Sequence, residues 1–402
     1  MNFPMPSLPD FSDTEVAFRD QSDAALRQTY WLFGMMNQSW LVTLGSGLGL
    51  LALRLRLPLV ATLIRRTLFQ QFCGGTTLAD SLSRMDSLNR SGVFSVLDYG
   101  AEGKQCEADF NRTSSEAQHA VAFAAGAKSC PFVSIKLTGL GSTHVLEALA
   151  RGDSLKPEEM ASYKCLRQRL DDLCALASEK GVSIFIDAEE SWLQPPMDDL
   201  AGEMMAKYNT ERAVVYNTFQ MYRTDRLAFL KISFQKSRKE KYVLGAKLVR
   251  GAYMEKENAR AIALGLESPI HPSKEATDQS FDEGIRFCLD NFQEMACCNA
   301  SHNLQSVMAQ VRAMAELGIP FDHPHLTFCQ LLGMSDILTY NLASSGFRVG
   351  KYVVYGQVRE VVPYLIRRAQ ENSSVTGDMS RELAIVRTEM VRRGLLASVP
   401  SR

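Results

Sequence analysis

Between about residues 92 and 356 the chain alternates two patterns: short runs rich in β-branched and aromatic residues, and longer stretches in which apolar residues recur every three or four positions. The short runs are SVLDY (95–99), VSIKLT (133–138), SIFIDA (183–188), AVVYNTF (213–219), AKLVRGA (246–252), ACCNAS (296–301), LTFCQLL (326–332) and GKYVVYG (350–356). A compact β-branched run reads as a buried strand and a 3.6-residue period as an amphipathic helix, so their regular succession predicts βα units around a parallel sheet. Eight such runs predict a closed (β/α)8 barrel of the TIM type, an α/β fold. Residues 158–181, EEMASYKCLRQRLDDLCALASEKG, have helical spacing and stop at a glycine, as a crossover helix should, and residues 304–318 repeat the design. After the eighth run comes a further helix, in which Tyr364, Arg367, Arg368 and Glu371 fall on or near one face. Val361, Val362, Leu365, Ile366 and Ala369 supply its apolar packing.

An open, doubly wound sheet is the competing architecture, but no strand leads into G-x-G-x-x-G and no G-x-x-x-x-G-K-[ST] occurs. GSGLG (45–49) and CGG (73–75) lie outside any strand-turn-helix context and read as turn or packing glycines. The N-terminus lacks the basic start and apolar core of a signal peptide. Residues 40–53, WLVTLGSGLGLLAL, are followed by Arg54 and Arg56, which leaves the stretch too short and too charged to span a bilayer unaided. Residues 1–66 are expected to form a helical arm, with residues 67–402 forming the barrel and its C-terminal helix. Within the arm, residues 40–66 read either as a helix packed on the barrel or as an interfacial helix in peripheral contact with a membrane.

Composition narrows the class. The chain has 402 residues, 46% hydrophobic and 22% charged, as expected of a globular protein, and its formal net charge of -1 provides no general attraction to nucleic acid. Nine cysteines, an odd number with no C-x-x-C pair, suit a reducing compartment, so a cytoplasmic location is expected. His271, His302, His323 and His325 lack a carboxylate-rich ligand pattern, and no metal is expected. His323 and His325 precede a strand and are expected to shape a loop.

In a βα barrel the chemistry sits at the C-terminal ends of the strands. Those ends carry Asp98 with Glu102, Lys136, Asp187 with Glu189 and Glu190, Gln220, Lys247 with Arg250, Ser301 with His302 and Asn303, and Tyr352. Each alone has a plain structural explanation: a lysine ending a strand reaches solvent, and acidic residues favour a helix start. Their convergence on one rim does not. Lys136, Arg367 and Arg368 can surround a carboxylate, while Lys247 and Arg250 offer a cation to an electron-rich ring or a phosphate. No G-x-S-x-G elbow exists, and Ser301 next to His302 does not make a serine triad.

At these residues the chain closely resembles the proline dehydrogenase family. The matching motifs are SVLDYGAEG, SIKLTGL, IFIDAEE, NTFQMYRTDR, KLVRGAYMEKE, ASHN, QLLGM, and KYVVYG followed by PYLIRRAQEN, in order over about residues 93–374. The resemblance implies a (β/α)8 barrel, non-covalent FAD, and oxidation of L-proline to 1-pyrroline-5-carboxylate by hydride transfer from C5 to flavin N5. It also implies the first step of proline catabolism, with electrons passed to a membrane quinone and peripheral association with the inner membrane. It places the chain with the monofunctional members, without the aldehyde dehydrogenase module of the bifunctional ones. Carried over by residue, Lys136, Arg367 and Arg368 become the clamp for the proline carboxylate, Tyr352 packs on the pyrrolidine ring, and Leu331 adds an apolar wall. Asp187 is the active-site aspartate that orients the cations, and Glu102 pairs with Arg367 as a gate. Ala188, Gln220, Lys247, Arg250, Gly251, Ala252, Ser301 and His302 are the cofactor-binding positions, with Tyr253 and Glu371 in support. Many bacterial members read R-L-V-K-G-A-Y where this chain has Lys247-Leu-Val-Arg250-Gly-Ala-Tyr, as in the eukaryotic-type branch, so either cation is a candidate to lie near flavin N5.

Proline oxidation demands orientation more than a nucleophile. The amine must be a free base, and the sequence names no group to take its proton, which leaves water. Tyr352 against the ring leaves little room for a 4-hydroxyl, which favours proline over hydroxyproline. The alternatives are a dehydrogenase of hydroxyproline or another cyclic imino acid, and a non-catalytic flavin- or proline-binding regulator.

Overall fold

Eight parallel strands, each fed by a helix, close on themselves with helices outside. The computed structural model describes residues 8–38, 62, 64–100, 106–127, 129–374 and 378–397, with 369–374, 378 and 379 described by backbone alone. Residues 39–61 of the expected arm, and Glu102, lie outside the described residues. In chain order the strands are β1 (Cys73–Gly75), β2 (Phe94–Tyr99), β3 (Phe132–Ile135), β4 (Ser183–Ile186) and β5 (Val215–Gln220). They continue with β6 (Leu244–Val249), β7 (Met295–Ala300), β8 (Leu326–Leu331) and β9 (Val349–Tyr355). Strands β2 to β9 form the ring, closed where Tyr352 of β9 stands beside both Val96 of β2 and Leu331 of β8.

Alternation along the strands sorts two cores. Phe132, Phe185, Tyr216, Cys298, Cys329 and Tyr352 belong to a cluster inside the ring, whereas Leu97, Val133, Ile184, Leu248, Phe328 and Val353 join the larger core shared with the helices. The rings of Phe132 and Phe185 stack at 4.4 Å, and Tyr216 meets Phe185 edge-on at 5.2 Å. The barrel is therefore packed rather than hollow below its C-terminal rim. The crossover helix Pro157–Lys180 starts with Glu158 and Glu159 in its first turn and ends at Gly181, whose φ of 73° suits glycine. His323 and His325 shape the turn before β8: the Nδ1 of His323 accepts from the His325 N–H, and the Nδ1 of His325 is 2.8 Å from the Phe292 carbonyl.

One expectation is corrected. Cys73, Gly74 and Gly75 are packing glycines and their neighbour, but they are also a strand, β1, which pairs with Val354 and Tyr355 of β9 beyond the point where β8 ends. A Cβ on Gly74 would lie 2.3 Å from Val353 Cγ1, and one on Gly75 2.4 Å from Asp80 Cβ. A run so short and glycine-rich has no strand propensity of its own; the open edge of β9 imposes the conformation.

Helices Thr14–Phe18 and Asp23–Met36 pack on helices Asp336–Ser344 and Asp378–Arg392, so the first and last of the described helices meet. Arg393 donates to the carbonyls of Phe18 and Gln21 and to Asp23 at 2.6, 2.7 and 2.9 Å. The turn after β8 is locked by Gly333, with φ 75°, where a Cβ would stand 2.3 Å from the Gln71 carbonyl oxygen. Left-handed strain and the clash add, so G333A is expected to lower stability by about 2–4 kcal/mol, read as an earlier urea midpoint. An unchanged midpoint would show that this turn does not anchor the segment before β1.

Candidate active site

The strand ladders stop at Ile135, Ile186 and Val249, and Lys136, Asp187 and Arg250 follow at the C-terminal rim. The Asp187 N–H donates to the Ile135 carbonyl at 2.9 Å, which holds Asp187 next to Lys136. Lys247 points into the ring from β6 and is only 4% exposed. Its Nζ lies 2.5 Å from Asp187 Oδ1 and 2.5 Å from the Tyr352 hydroxyl oxygen, and 4.7 Å from the centre of the Tyr352 ring. Lys136 Nζ stands 3.8 Å from Asp187 Oδ2 and 3.7 Å from Asp98 Oδ1. Charges of opposite sign thus alternate across the tips of β2, β3, β4 and β6. Burial pushes the Asp187 carboxyl up, but the Lys247 and Lys136 ammoniums reverse this and hold it below the usual carboxylate range. Burial, then the Asp187 charge, pushes the Tyr352 phenol well above its ordinary value.

A cavity of about 340 Å³ meets this cluster at Lys136; Glu189, Trp192, Tyr253 and Arg367 line it with Thr113 and Ala117 of helix Glu107–Gly126, whereas Asp187, Lys247, Leu331, Tyr352 and Arg368 are not among its lining residues. Arg367 reaches it from helix Val358–Ser374, whose Val361, Val362, Tyr364 and Leu365 are buried as the apolar stripe requires. Pro363 sits inside that helix, where it removes one backbone donor. The paired arginines have different neighbours: the charge of Arg367 acts on Tyr253, and that of Arg368 on His302, with the Arg368 guanidinium 5.4 Å from the Tyr364 ring centre. Leu331 is half-buried beside Tyr352. Glu102 and the Glu371 side chain lie outside the described residues.

The other predicted positions gather around the tips of β5, β6 and β7. Arg250 donates to Asp278, Ser301 Oγ and Ser306 Oγ at 2.7, 2.7 and 2.8 Å, and lies 4.5 Å over the Phe281 ring. Gly251, with φ 137°, presses on the Tyr222 ring, where a Cβ would come within 2.5 Å; Gly251 and Ala252 are exposed, and Ala188 is half-buried. Buried Gln220 donates to the Glu189 carbonyl at 2.7 Å. His302 accepts at Nε2 from the Leu331 N–H at 3.4 Å, so its Nδ1, 2.9 Å from Ser335 Oγ, carries the proton. Burial and the charges of Lys351 and three arginines bring its pKa down to about 3, so it is neutral at physiological pH. Lys247 and Arg250, equivalent candidates by sequence, therefore occupy different places: one in the barrel interior, the other on its rim.

Three groups near the site carried no assigned role in the sequence reading. Lys351 of β9 is fully buried on the outward side of the ring, 2.9 Å from Asp336 and bonded to the Met334 carbonyl. Glu382 accepts from both the N–H and the hydroxyl of Ser335, and Arg381 donates to the His302 carbonyl at 2.9 Å, so helix Asp378–Arg392 holds the His302 loop. Alternation with inward-facing Tyr352 is the signal that turns Lys351 outward, but nothing local announces its carboxylate partner. Among the described residues no group of three or more His, Cys, Asp or Glu side chains can hold a metal ion.

The proline dehydrogenase family model matches residues 81–381. The chain belongs to the proline dehydrogenase family. Similar proteins include human proline dehydrogenase 1, mitochondrial, which is 39% identical over 63% of this chain and 44% of its own length. Arabidopsis thaliana proline dehydrogenase 2, mitochondrial, is 30% identical over 83% of this chain and 79% of its own. The carbapenem antibiotics biosynthesis protein CarD of Pectobacterium carotovorum is 31% identical over 80% of this chain and 83% of its own. The chain spans about half the length of the first curated relatives it matches. Among solved structures, proline utilization A from Bdellovibrio bacteriovorus superposes with a TM-score of 0.76 at 20% identity, over 98% of this chain and 45% of that one, a likeness of fold. All residues that the resemblance assigned fall within the proline dehydrogenase match, while the N-terminal helices, β1 and Glu382 fall outside it.

Proposed function

We propose that this chain oxidises L-proline to 1-pyrroline-5-carboxylate with non-covalent FAD. The observation that carries the reading is the meeting of Lys136 and Arg367 on one cavity, which Lys136, 3.8 Å from Asp187, joins to the buried Asp187–Lys247–Tyr352 cluster. Two cations on one small cavity suit a carboxylate, and the neighbouring Tyr253 and Trp192 give it an apolar margin. Arg368 completes the clamp, Leu331 and Tyr352 border the ring, and Glu102 and Glu371 gate and steady the arginines. Tyr352 is held by Lys247 and stacks 6.3 Å from Phe185, so it has little freedom to yield to a 4-hydroxyl, which supports proline over hydroxyproline.

The donor set fits FAD. The Arg250 cation, the exposed backbone of Gly251 and Ala252, and the Ser301 hydroxyl share one rim, suited to a diphosphate; Ala188, Gln220 and neutral His302 offer contacts to a polar ring. Bound there, FAD would supply a hydride acceptor for proline C5. Lys247 holds a positive charge at the barrel centre, where negative charge develops as the cofactor is reduced. Asp187 keeps that ammonium in place and stays ionised because of it.

The resemblance also supports a membrane quinone as the final electron acceptor, and the apolar, arginine-bearing stretch 40–66 of the 1–66 arm is the candidate for peripheral membrane contact. Among the described residues no helix is long and apolar enough to cross a membrane. The decisive test is a visible spectrum. Purified protein is expected to show oxidised flavin that bleaches anaerobically with L-proline; a colourless protein that binds proline would replace the enzyme with a sensor. Bleaching by 4-hydroxyproline alone would exchange the substrate.

A further inference from the structure

Oxidation of proline, the reading on which this inference rests, leaves one proton without a destination. At neutral pH the substrate nitrogen is an ammonium, and its lone pair can drive formation of C=N only after one N–H proton has left. We infer that Glu189 accepts that proton, through the carboxylate it presents to the cavity shared by Lys136, Tyr253 and Arg367. In this step an N–H bond breaks, its electron pair stays on nitrogen, and the proton bonds to a Glu189 oxygen, turning the carboxylate into a neutral acid.

The position is built rather than incidental. Glu189 follows the tip of β4, is 5% exposed, and lines the cavity. Its Oε1 accepts from the Thr138 N–H at 3.1 Å and its Oε2 from the Thr138 hydroxyl at 2.5 Å. Its own N–H donates to Gln194 Oε1 at 3.1 Å and its carbonyl accepts from Gln220, so main chain and side chain are both held. Each carboxylate oxygen has a second lone pair for a donor in the cavity.

The neighbouring carboxylates are worse suited. Asp187, with its pKa depressed by two lysines, is a poor proton acceptor, and Glu190 is taken by Lys256 at 2.8 Å. Burial pushes the Glu189 carboxyl up to about 7, against the opposing Thr138 bonds and Lys136 charge and with help from Glu190. The charged and titratable groups on the same cavity are Tyr99 of β2, Lys136 after β3, Glu147 of helix Thr143–Ala150, Glu190 on its own loop, Tyr253 and Lys256 after β6, and Arg367 from helix Val358–Ser374. Lys136 and Arg367 also lower the basicity of an amine bound between them, which brings donor and acceptor closer together.

The test is the pH profile of kcat/KM for L-proline on the FAD-loaded protein between pH 5.5 and 9, flags being an acid limb and its midpoint. Wild type is expected to lose about tenfold per unit below an apparent pKa of about 7. E189Q should lower kcat/KM about 100-fold at pH 8 and remove the midpoint near 7, the profile then following the free-amine fraction of proline, while the Kd for cyclopentanecarboxylate, which lacks the ring nitrogen, changes less than about threefold. T138A, which removes one methyl together with the hydroxyl that stabilises the charged form, should move the limb upward by about half a unit or more, and it tests the inference even if E189Q fails to fold. An acid limb at the same midpoint in E189Q, or unmoved in T138A, would assign the proton to another group and overturn the inference. Failure of wild type to oxidise proline at any pH, with cyclopentanecarboxylate still bound, would instead overturn the proline reading.

Discussion

Replacing Lys247 by methionine is expected to lower kcat/KM for proline about 1,000-fold with FAD saturating, and to cost about 3–5 kcal/mol of stability. Lys247 is the buried cation between Asp187 and Tyr352, at 2.5 Å from each. Methionine keeps the apolar stem but removes the charge, leaving Asp187 with Lys136 at 3.8 Å as its remaining cation of this cluster. Because the folded-state pKa of Asp187 is depressed, the pair stabilises the protein above the unfolded value near 4, and this is lost as pH falls through the folded value. K247M should therefore show a shallower loss of stability on the acid side as well as a lower plateau. Steady-state kinetics and urea unfolding between about pH 3 and 8 measure both. Activity within tenfold of wild type would remove Lys247 from the reaction and leave it a structural partner of Asp187.

Arg367→Ala should raise the KM for proline about 100-fold, with kcat falling far less and the flavin content unchanged. A charge-assisted contact to a carboxylate is made equally before and during hydride loss, so its removal weakens binding more than turnover. Pyrrolidine, which has the ring but no carboxylate, provides the control: its oxidation should be equally poor in wild type and variant. Arg368→Ala should also raise KM, but because its charge acts on His302 among the proposed cofactor contacts, some loss of flavin affinity is expected as well. Equal proline KM values in wild type and both variants would discard the clamp.

The barrel was legible because its determinants are local. Each of the eight apolar runs recurs as a strand within two residues of its expected start, since buried parallel strands need continuous β-branched and aromatic sequence. The expected ends ran long at Lys136 and Asp187 because those residues leave the ladder to serve the site. β1 was not legible, because the edge that makes Cys73–Gly75 a strand lies some 280 residues away on β9. Lys351 illustrates the same limit: a lysine beginning a strand signals solvent until Asp336 and two carbonyls surround it.

By itself the sequence determined the eight-strand order, the polar tips, and the residue types that suit a carboxylate and an anionic cofactor, since these follow from periodicity and side-chain chemistry. Only the tertiary structure decided how those groups divide the labour. It set Lys247 at the barrel centre and Arg250 on the rim, sent Arg367 toward the cavity and Arg368 toward His302, and buried Glu189, which pushes its carboxyl up to about 7. The reason is that partner distance and loss of solvent fix the energy of a charge, and neither quantity is a property of the chain until distant strands have closed into a ring.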